Sequence, residues 1–413
     1  MLKRIQVKQL RVGMYLQEIR GSWINHPFWR NKFVIEDDDV IRQIVQSGIA
    51  DVVIDTSKGL DVADEKALHP AETPVESIVQ AEVQPVRNAN AHKNAKSVPI
   101  EEEMEQAAKV YAQSKGAMLS MFNEARMGKA ISSEAANVMV DEISSSVSRN
   151  AGALISIARL KSADEYTYMH SVAVCALMVA LGRQLRMNES DIREAAMGGL
   201  LHDLGKALMP TDILNKPGKL TDEEFAIMRS HPEAGQKILV ESGTVGDIPL
   251  DICLHHHEKV DGTGYPHRLA EKNISTFARM GAVCDVYDAI TSNRPYKAGW
   301  DPGESIRKMN EWCHGHFDEK IFQAFVKSIG IYPVGTLVGL RSGRLGVVID
   351  QTEKSLLTPK VKVFYSTKSN LRITPEVLDL SLPATRDKIV SVEESSKWNF
   401  EDLNSLWGSV ELF

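Results

Sequence analysis

Apolar and polar residues change their spacing three times along this chain, and each change marks a boundary. Over residues 1–60 the pattern is short and mixed. "KRIQVKQLRVGMYL" alternates with the period of two that turns one face of a strand inward, with Gly13 as a break. "DDDVIRQIVQSGI" predicts a helix, with acidic residues in its first turn and Gly48 just past its end. "ADVVIDT" predicts a further strand. The rings of "WINHPFWRNKF" between them read as the core of a small α+β domain.

From 61 to 100 the periodicity disappears into prolines and polar residues, "HPAETPVESIVQAEVQPVRNANAHKNAKSVP", which predicts a flexible linker. From 101 to 330 Ala, Met, Glu and longer apolar residues recur at helical spacing, so long helices are expected there. After "YPVG" alternation returns. "TLVGLRSGRLGVVIDQ" and "PKVKVFYS" predict strands with a turn at Ser342-Gly343, so a small β unit is expected from 331 to about 382. A tail then runs to 413. The predicted fold is mainly α, with a small α+β unit at one end and a small β unit at the other.

Composition narrows the function. The chain has 413 residues, enough for two to four domains at roughly 150 residues each. A net charge of -7 and a pI near 6.0 leave no broad basic surface for a nucleic-acid polymer. A phosphate-bearing ligand must then be held locally, by metal or a few placed cations. The four cysteines form no CxxC and suggest reduced thiols in a reducing compartment. "MLKRIQVKQLRVGM" lacks the apolar core of a signal peptide. The longest apolar run, the 12 residues "SVAVCALMVALG", falls short of the about 20 needed to span a bilayer. A cytoplasmic protein without membrane insertion is expected.

Seven of the 12 histidines lie between His170 and His267, inside the helical region. "AAMGGLLHDLGKALMP" reads as an apolar helix whose last turn carries His202 and Asp203. "RSHPEAGQKIL" starts a helix with His231 before Pro232, and "ARMGAVCDVYDAITS" embeds Asp285 in an apolar helix. Any one of these is more often a satisfied core residue than a ligand. Together they place imidazoles and carboxylates on several apolar helices, which is costly unless they pair or bind metal. Nitrogen and oxygen ligands without thiolate suit Fe, Mn, Ni, Co or Zn. In "HHHEKVDGTGYP" the three histidines cannot all point inward from one regular element, so at least one of His255, His256 and His257 is a bystander.

"HDLGK" and "HHHEKVDGTGYP", continued by "ILNKPGKLTDEEFAIMRSHPEAG" and "DVYDAITSNRPYK", resemble the HD-GYP family of the HD metal-dependent phosphohydrolase superfamily. The resemblance covers roughly 165–325. Residues 1–60, with "LRVGMYL" and "HPFWRNKF", resemble the uncharacterised domain often found ahead of such modules. It implies an HD-type helical bundle over 101–330. It also implies a metal-dependent phosphodiesterase that converts cyclic di-GMP to pGpG and onward to GMP in some members, with cyclic GMP-AMP as the alternative substrate. It makes His170, His202, Asp203 and Asp285 ligands of one divalent ion. Asp203, His231, His256 and His257 become ligands of a second, with Asp203 bridging and Fe or Mn as the favoured metals. It further makes Asp203 and Lys206 catalytic, places Lys206, Tyr265, Arg294 and Lys297 against the substrate, and gives Glu258 the task of orienting a ligand. Tyr166 stands where some members carry a glutamate for a third ion, which points to two ions here. A receptor that binds without cleaving and a generic HD nucleotidase are the competing readings. The N-terminal domain offers a place for a protein partner, and a homodimer is compatible with the sequence.

Overall fold

The structure, a computed structural model, describes residues 2–19, 33–35, 41, 51–60, 97–161, 166–216, 218–243, 245–293, 299–313, 315–352, 355–398, 400 and 402–408. The chain divides into two compact units, Met1–Ala95 and Lys96–Phe413.

In the first unit, β1 (Leu2–Gln6), β2 (Tyr15–Ile19), β3 (Phe33–Val34) and β4 (Asp51–Asp55) form an antiparallel sheet in the order β1-β4-β2-β3. β4 lies inside the sheet and buries Val52 and Ile54 against Ile5, Met14, Leu16 and Ile35. The single alternating run of the sequence is two strands. Val7–Gln9 form a 3-10 turn, and Gly13 takes φ +89°, where only glycine fits without strain. The predicted helix around Gly48 and the aromatic stretch lie largely outside the described residues, as does the linker.

The second unit is a helical bundle carrying a five-stranded sheet. Its longer helices are α1 (Ile100–Arg126), α2 (Ser133–Arg159), α3 (Tyr166–Gln184), α4 (Glu189–Leu201), α5 (Asp222–Met228), α6 (His231–Ser242), α7 (Asp247–His255), α8 (Thr276–Thr291), α9 (Pro302–Trp312) and α10 (Glu319–Ile329). Side-chain oxygens of Ser132, Asn188, Thr221, Ser275 and Asp318 cap the first turns of α2, α4, α5, α8 and α10. α3 is the axis of the bundle. Every residue from Met169 to Gly182 is buried, which accounts for its apolar run without a membrane. No helix among the described residues is long and apolar enough to cross one.

β5 (Leu337–Leu340), β6 (Arg344–Asp350), β7 (Lys360–Ser366), β8 (Leu371–Asp379) and β9 (Ile389–Val392) pair antiparallel in the order β8-β7-β6-β5-β9. The sheet thus extends past the expected limit near 382, because β9 returns to pair with β5. Leu337, Leu345 and Phe364 give it a small core of its own, with Trp398 and Phe400 packed against them, and its other side joins the bundle. Val334, Val347, Ile349 and Trp407 join the bundle's apolar cluster, and the Arg159 guanidinium donates to the Val334 carbonyl at 2.7 Å and lies 4.8 Å over the Trp407 ring.

Candidate metal centre

Five segments of the bundle deliver the histidines and aspartates to one place. α3 carries His170 in its second turn. α4 ends at Leu201, so His202 caps it, and Asp203 leaves the helix into a 3-10 turn over Leu204–Leu208. α6 opens with His231-Pro232, α7 ends just before His256 and His257, and α8 holds Asp285. A Cβ at Gly205 would collide with the His231 carbonyl and the Gly235 amide; only glycine lets the His202-Asp203 turn lie against the start of α6.

Asp203 sits at the middle with its two oxygens facing different partners. Oδ1 is 3.2 Å from His231 Nε2 and 3.8 Å from His256 Nε2. Oδ2 is 3.5 Å from His202 Nε2 and 3.6 Å from His170 Nε2, and it accepts a hydrogen bond from the Lys206 ammonium. Asp285 Oδ1 is 2.9 Å from His170 Nε2 and 3.8 Å from His202 Nε2, while its Oδ2 is 3.7 Å from His257 Nδ1. Two groups result, each with ligand atoms within 4.8 Å of one another: Asp203, His231, His256 and His257, and His170, His202 and Asp285. His202 Nε2 and Asp203 Oδ1 are buried with no hydrogen-bond partner. Orphaned polar atoms at the centre of a ring of donors fit divalent ions, since burying them otherwise costs about 1–3 kcal/mol each. Cys253 and Cys284 are buried nearby, and burial pushes both thiols up, so the donor set is nitrogen and oxygen alone.

Four of the five histidines have a fixed outward ring nitrogen. His202 Nδ1 donates to Gly199 O at 2.8 Å, His231 Nδ1 to Met228 O at 2.7 Å, and His256 Nδ1 to Cys253 O at 3.0 Å. These bonds leave the inward nitrogens with free lone pairs. His170 differs. Its Nδ1 meets Asp288 Oδ2 at 2.7 Å, and both Asp288 oxygens accept from the buried Lys161 ammonium at 2.8 Å. Sequence reasoning missed this chain. The one available signal was the Asp285–Asp288 spacing, which puts both carboxylates on one helix face; nothing local points to Lys161.

Glu258 corrects an expectation. Its carboxylate bonds no imidazole among the described residues; it accepts from the backbone amides of His267 at 2.7 Å and Leu269 at 3.0 Å. The reason is the fold of "DGTGYP". Gly262 takes φ +76°, and a Cβ at Gly264 would overlap the backbone of His257 to Lys259, so the loop doubles back over Glu258. The orienting carboxylate in this centre is Asp288. Of the triplet, His255 faces away, with Nδ1 2.7 Å from Asp251 Oδ1 and Nε2 3.0 Å from His267 Nδ1. The Tyr265 ring stacks on His257 at 4.6 Å and 27°. The Tyr166 ring stacks on His170 at 5.4 Å and 13°. Arg294 and Lys297 lie outside the described residues.

Electrostatics separate the members. Burial would raise Asp203, but Lys206 and His202 hold its carboxyl well below the usual range. Burial would likewise raise Asp285, and the hydrogen bond with His170 together with nearby His202 and His257 holds it well down. For His170, burial disfavours the proton, but Asp285 and Asp288 outweigh it and raise the pKa. His256 has no such partner, and burial, aided by neighbouring His202, pushes it down to about 3. Burial and His256 push His257 well below 6.5.

A family profile described as an HD domain matches residues 147–321, and one described as a domain of unknown function (DUF3391) matches 2–136. Cyclic di-GMP phosphodiesterase PA4108 of Pseudomonas aeruginosa is 52% identical over 408 residues, covering 98% of this chain and 96% of that relative. The chain belongs to the HD-GYP phosphodiesterase family. Other relatives match a shorter stretch of the chain. The cyclic di-GMP phosphodiesterase response regulator RpfG of Xanthomonas campestris is 39% identical over 181 residues, 41% of this chain and 47% of the relative. The 3'3'-cGAMP-specific phosphodiesterase 3 of Vibrio cholerae is 32% identical over 168 residues, 41% of this chain and 36% of the relative.

Proposed function

We propose that this HD-GYP protein hydrolyses cyclic di-GMP to linear pGpG in the cytoplasm, using two divalent ions, Fe or Mn, per chain. His170, His202, Asp203 and Asp285 hold one ion, and Asp203, His231, His256 and His257 hold the other. The observation that carries the reading is Asp203, a buried carboxylate that turns one oxygen to each group of histidines. The near full-length similarity to a cyclic di-GMP phosphodiesterase supports the substrate. Four free, buried cysteines fit a reducing compartment.

Bound at such a centre, the ions supply Lewis acidity to the phosphate oxygens and to the attacking water. The chain supplies the rest. Asp203 and Asp285 stay ionised at neutral pH, because their partners favour the anion. The neutral imidazoles of His256 and His257 keep lone pairs available. Lys206, one-fifth exposed beside Asp203, stands within reach of a phosphate oxygen at the same carboxylate. Tyr265 covers His257 and limits water at the open side. Purified protein loaded with Mn²⁺ or Fe²⁺ is offered cyclic di-GMP and 3'3'-cGAMP, and products are resolved by chromatography. pGpG from cyclic di-GMP is expected. Faster cleavage of 3'3'-cGAMP would reassign the substrate, and binding without product would make the protein a receptor.

A further inference from the structure

Arg229 ends α5 and stands two residues before His231. Among the described residues it faces aromatic rings rather than a carboxylate. Its Cζ lies 4.9 Å over the Tyr265 ring and 5.8 Å over the Phe225 ring. Phe225 meets Tyr265 edge-on at 6.4 Å and 78°. Through Tyr265 the group reaches the metal centre, because that ring stacks on His257, whose side chain is 22% exposed and so lies on the solvent side of the site.

Stability does not account for this arrangement. α5 buries none of its residues, and the Phe225 ring is 47% exposed. A large ring left in water contributes little to folding, and a cation set over rings gives up the ion pair that a helix surface normally provides. The geometry has a different use. A guanidinium lying over an aromatic face keeps its in-plane N–H donors free at the edge. That fork matches two adjacent acceptors in one plane, which guanine presents as O6 and N7 and adenine does not. An exposed phenyl beside it offers a face on which a base stacks.

We propose that Phe225 and Arg229 form a guanine-reading subsite beside the metal centre, with Phe225 stacking the base and Arg229 reading its O6/N7 edge. The proposal rests on the phosphodiesterase reading above and adds to it where one base of the dinucleotide is recognised. It makes Arg229 a specificity residue, distinct from the cations that meet phosphate.

The test uses the full chain loaded with Mn²⁺ and the variants Arg229→Ala, Arg229→Lys and Phe225→Ala, with metal content measured in each. Turnover of cyclic di-GMP is compared with that of bis(p-nitrophenyl) phosphate, which carries a cleavable diester and no guanine. Arg229→Ala and Phe225→Ala are expected to lose about ten- to a hundredfold more kcat/KM on cyclic di-GMP than on the guanine-free diester, mainly through KM. Arg229→Lys is expected not to recover the loss, since an ammonium has no fork. GMP is expected to inhibit diester cleavage by the wild type more strongly than AMP, and Arg229→Ala to narrow that gap. Equal losses on both substrates, no loss, full recovery by lysine, or metal loss in Arg229→Ala would each overturn the subsite. If the wild type cleaves the simple diester and not cyclic di-GMP, the substrate assignment fails by itself, and the GMP-over-AMP gap still decides the subsite.

Discussion

The two halves of the metal centre solve the same problem with different means. Around His170, His202 and Asp285 the protein is closed and anionic. Asp288 sits behind His170, and the fully buried Lys161 ammonium sits behind Asp288. In the other half the outward partners of His231 and His256 are backbone carbonyls, and His257 reaches solvent. A carboxylate behind a ligating imidazole makes it more basic and fixes its ring; a carbonyl fixes the ring with less charge. Burying that carboxylate requires a counter-charge, and Lys161 is the counter-charge. The closed half is therefore built on long-range ion pairing and the open half on local helix-end geometry.

The largest effect tests what the halves share. Asp203→Ala removes the central carboxylate, which turns one oxygen to each group, so elemental analysis is expected to find both ions lost together with all turnover. Full occupancy in that variant would end its bridging role. Next comes the charge chain of the closed half. Lys161→Met leaves Asp288 buried without its ammonium counter-charge, a cost of up to about 3–5 kcal/mol that thermal melting of the metal-free protein reads directly. Asp288→Asn is milder. It is expected to weaken one ion about ten- to a hundredfold and leave the other in place, measured by chelator competition. Equal weakening of both would erase the distinction between the halves.

Within the open half, His257→Ala is expected to release one ion, whereas His255→Ala keeps both, because His255 is engaged with Asp251 and His267. Loss of metal in His255→Ala would reverse that choice.

The smallest effect is in pH. In the metal-free fold His256 titrates near 3 instead of 6.5, so the unfolded chain takes up the proton first. Stability is then present above 6.5 and falls as pH drops toward 3, by at most about 1.4 kcal/mol per pH unit for that group. His257 has the same sign. His170 has the opposite sign: its raised pKa stabilises the fold below 6.5, and that contribution is lost as pH rises through the folded value. Urea midpoints are expected to fall from pH 6.5 to pH 5, less so in His256→Gln, while His170→Gln changes the profile only above pH 6.5. A flat wild-type profile would show that the halves do not differ in proton affinity.

Local pattern by itself determined much of this protein. Helical spacing over 101–330, alternation in "ADVVIDT" and after "YPVG", and the co-occurrence of His202-Asp203, His231-Pro232, the histidine triplet and Asp285 are all readable without coordinates. Each is a short-range property, set by side-chain period and by the expense of polar groups on apolar helices. What tertiary structure decided are the long-range choices. Lys161 meets Asp288 across 127 positions, β9 pairs back to β5, and Glu258 bonds the loop that folds over it rather than a histidine. Tertiary structure likewise brings Tyr265 against Arg229 and Phe225, which no local pattern links to it. Sequence spacing records which groups need a partner; only packing brings distant groups close enough to decide which partner each one finds.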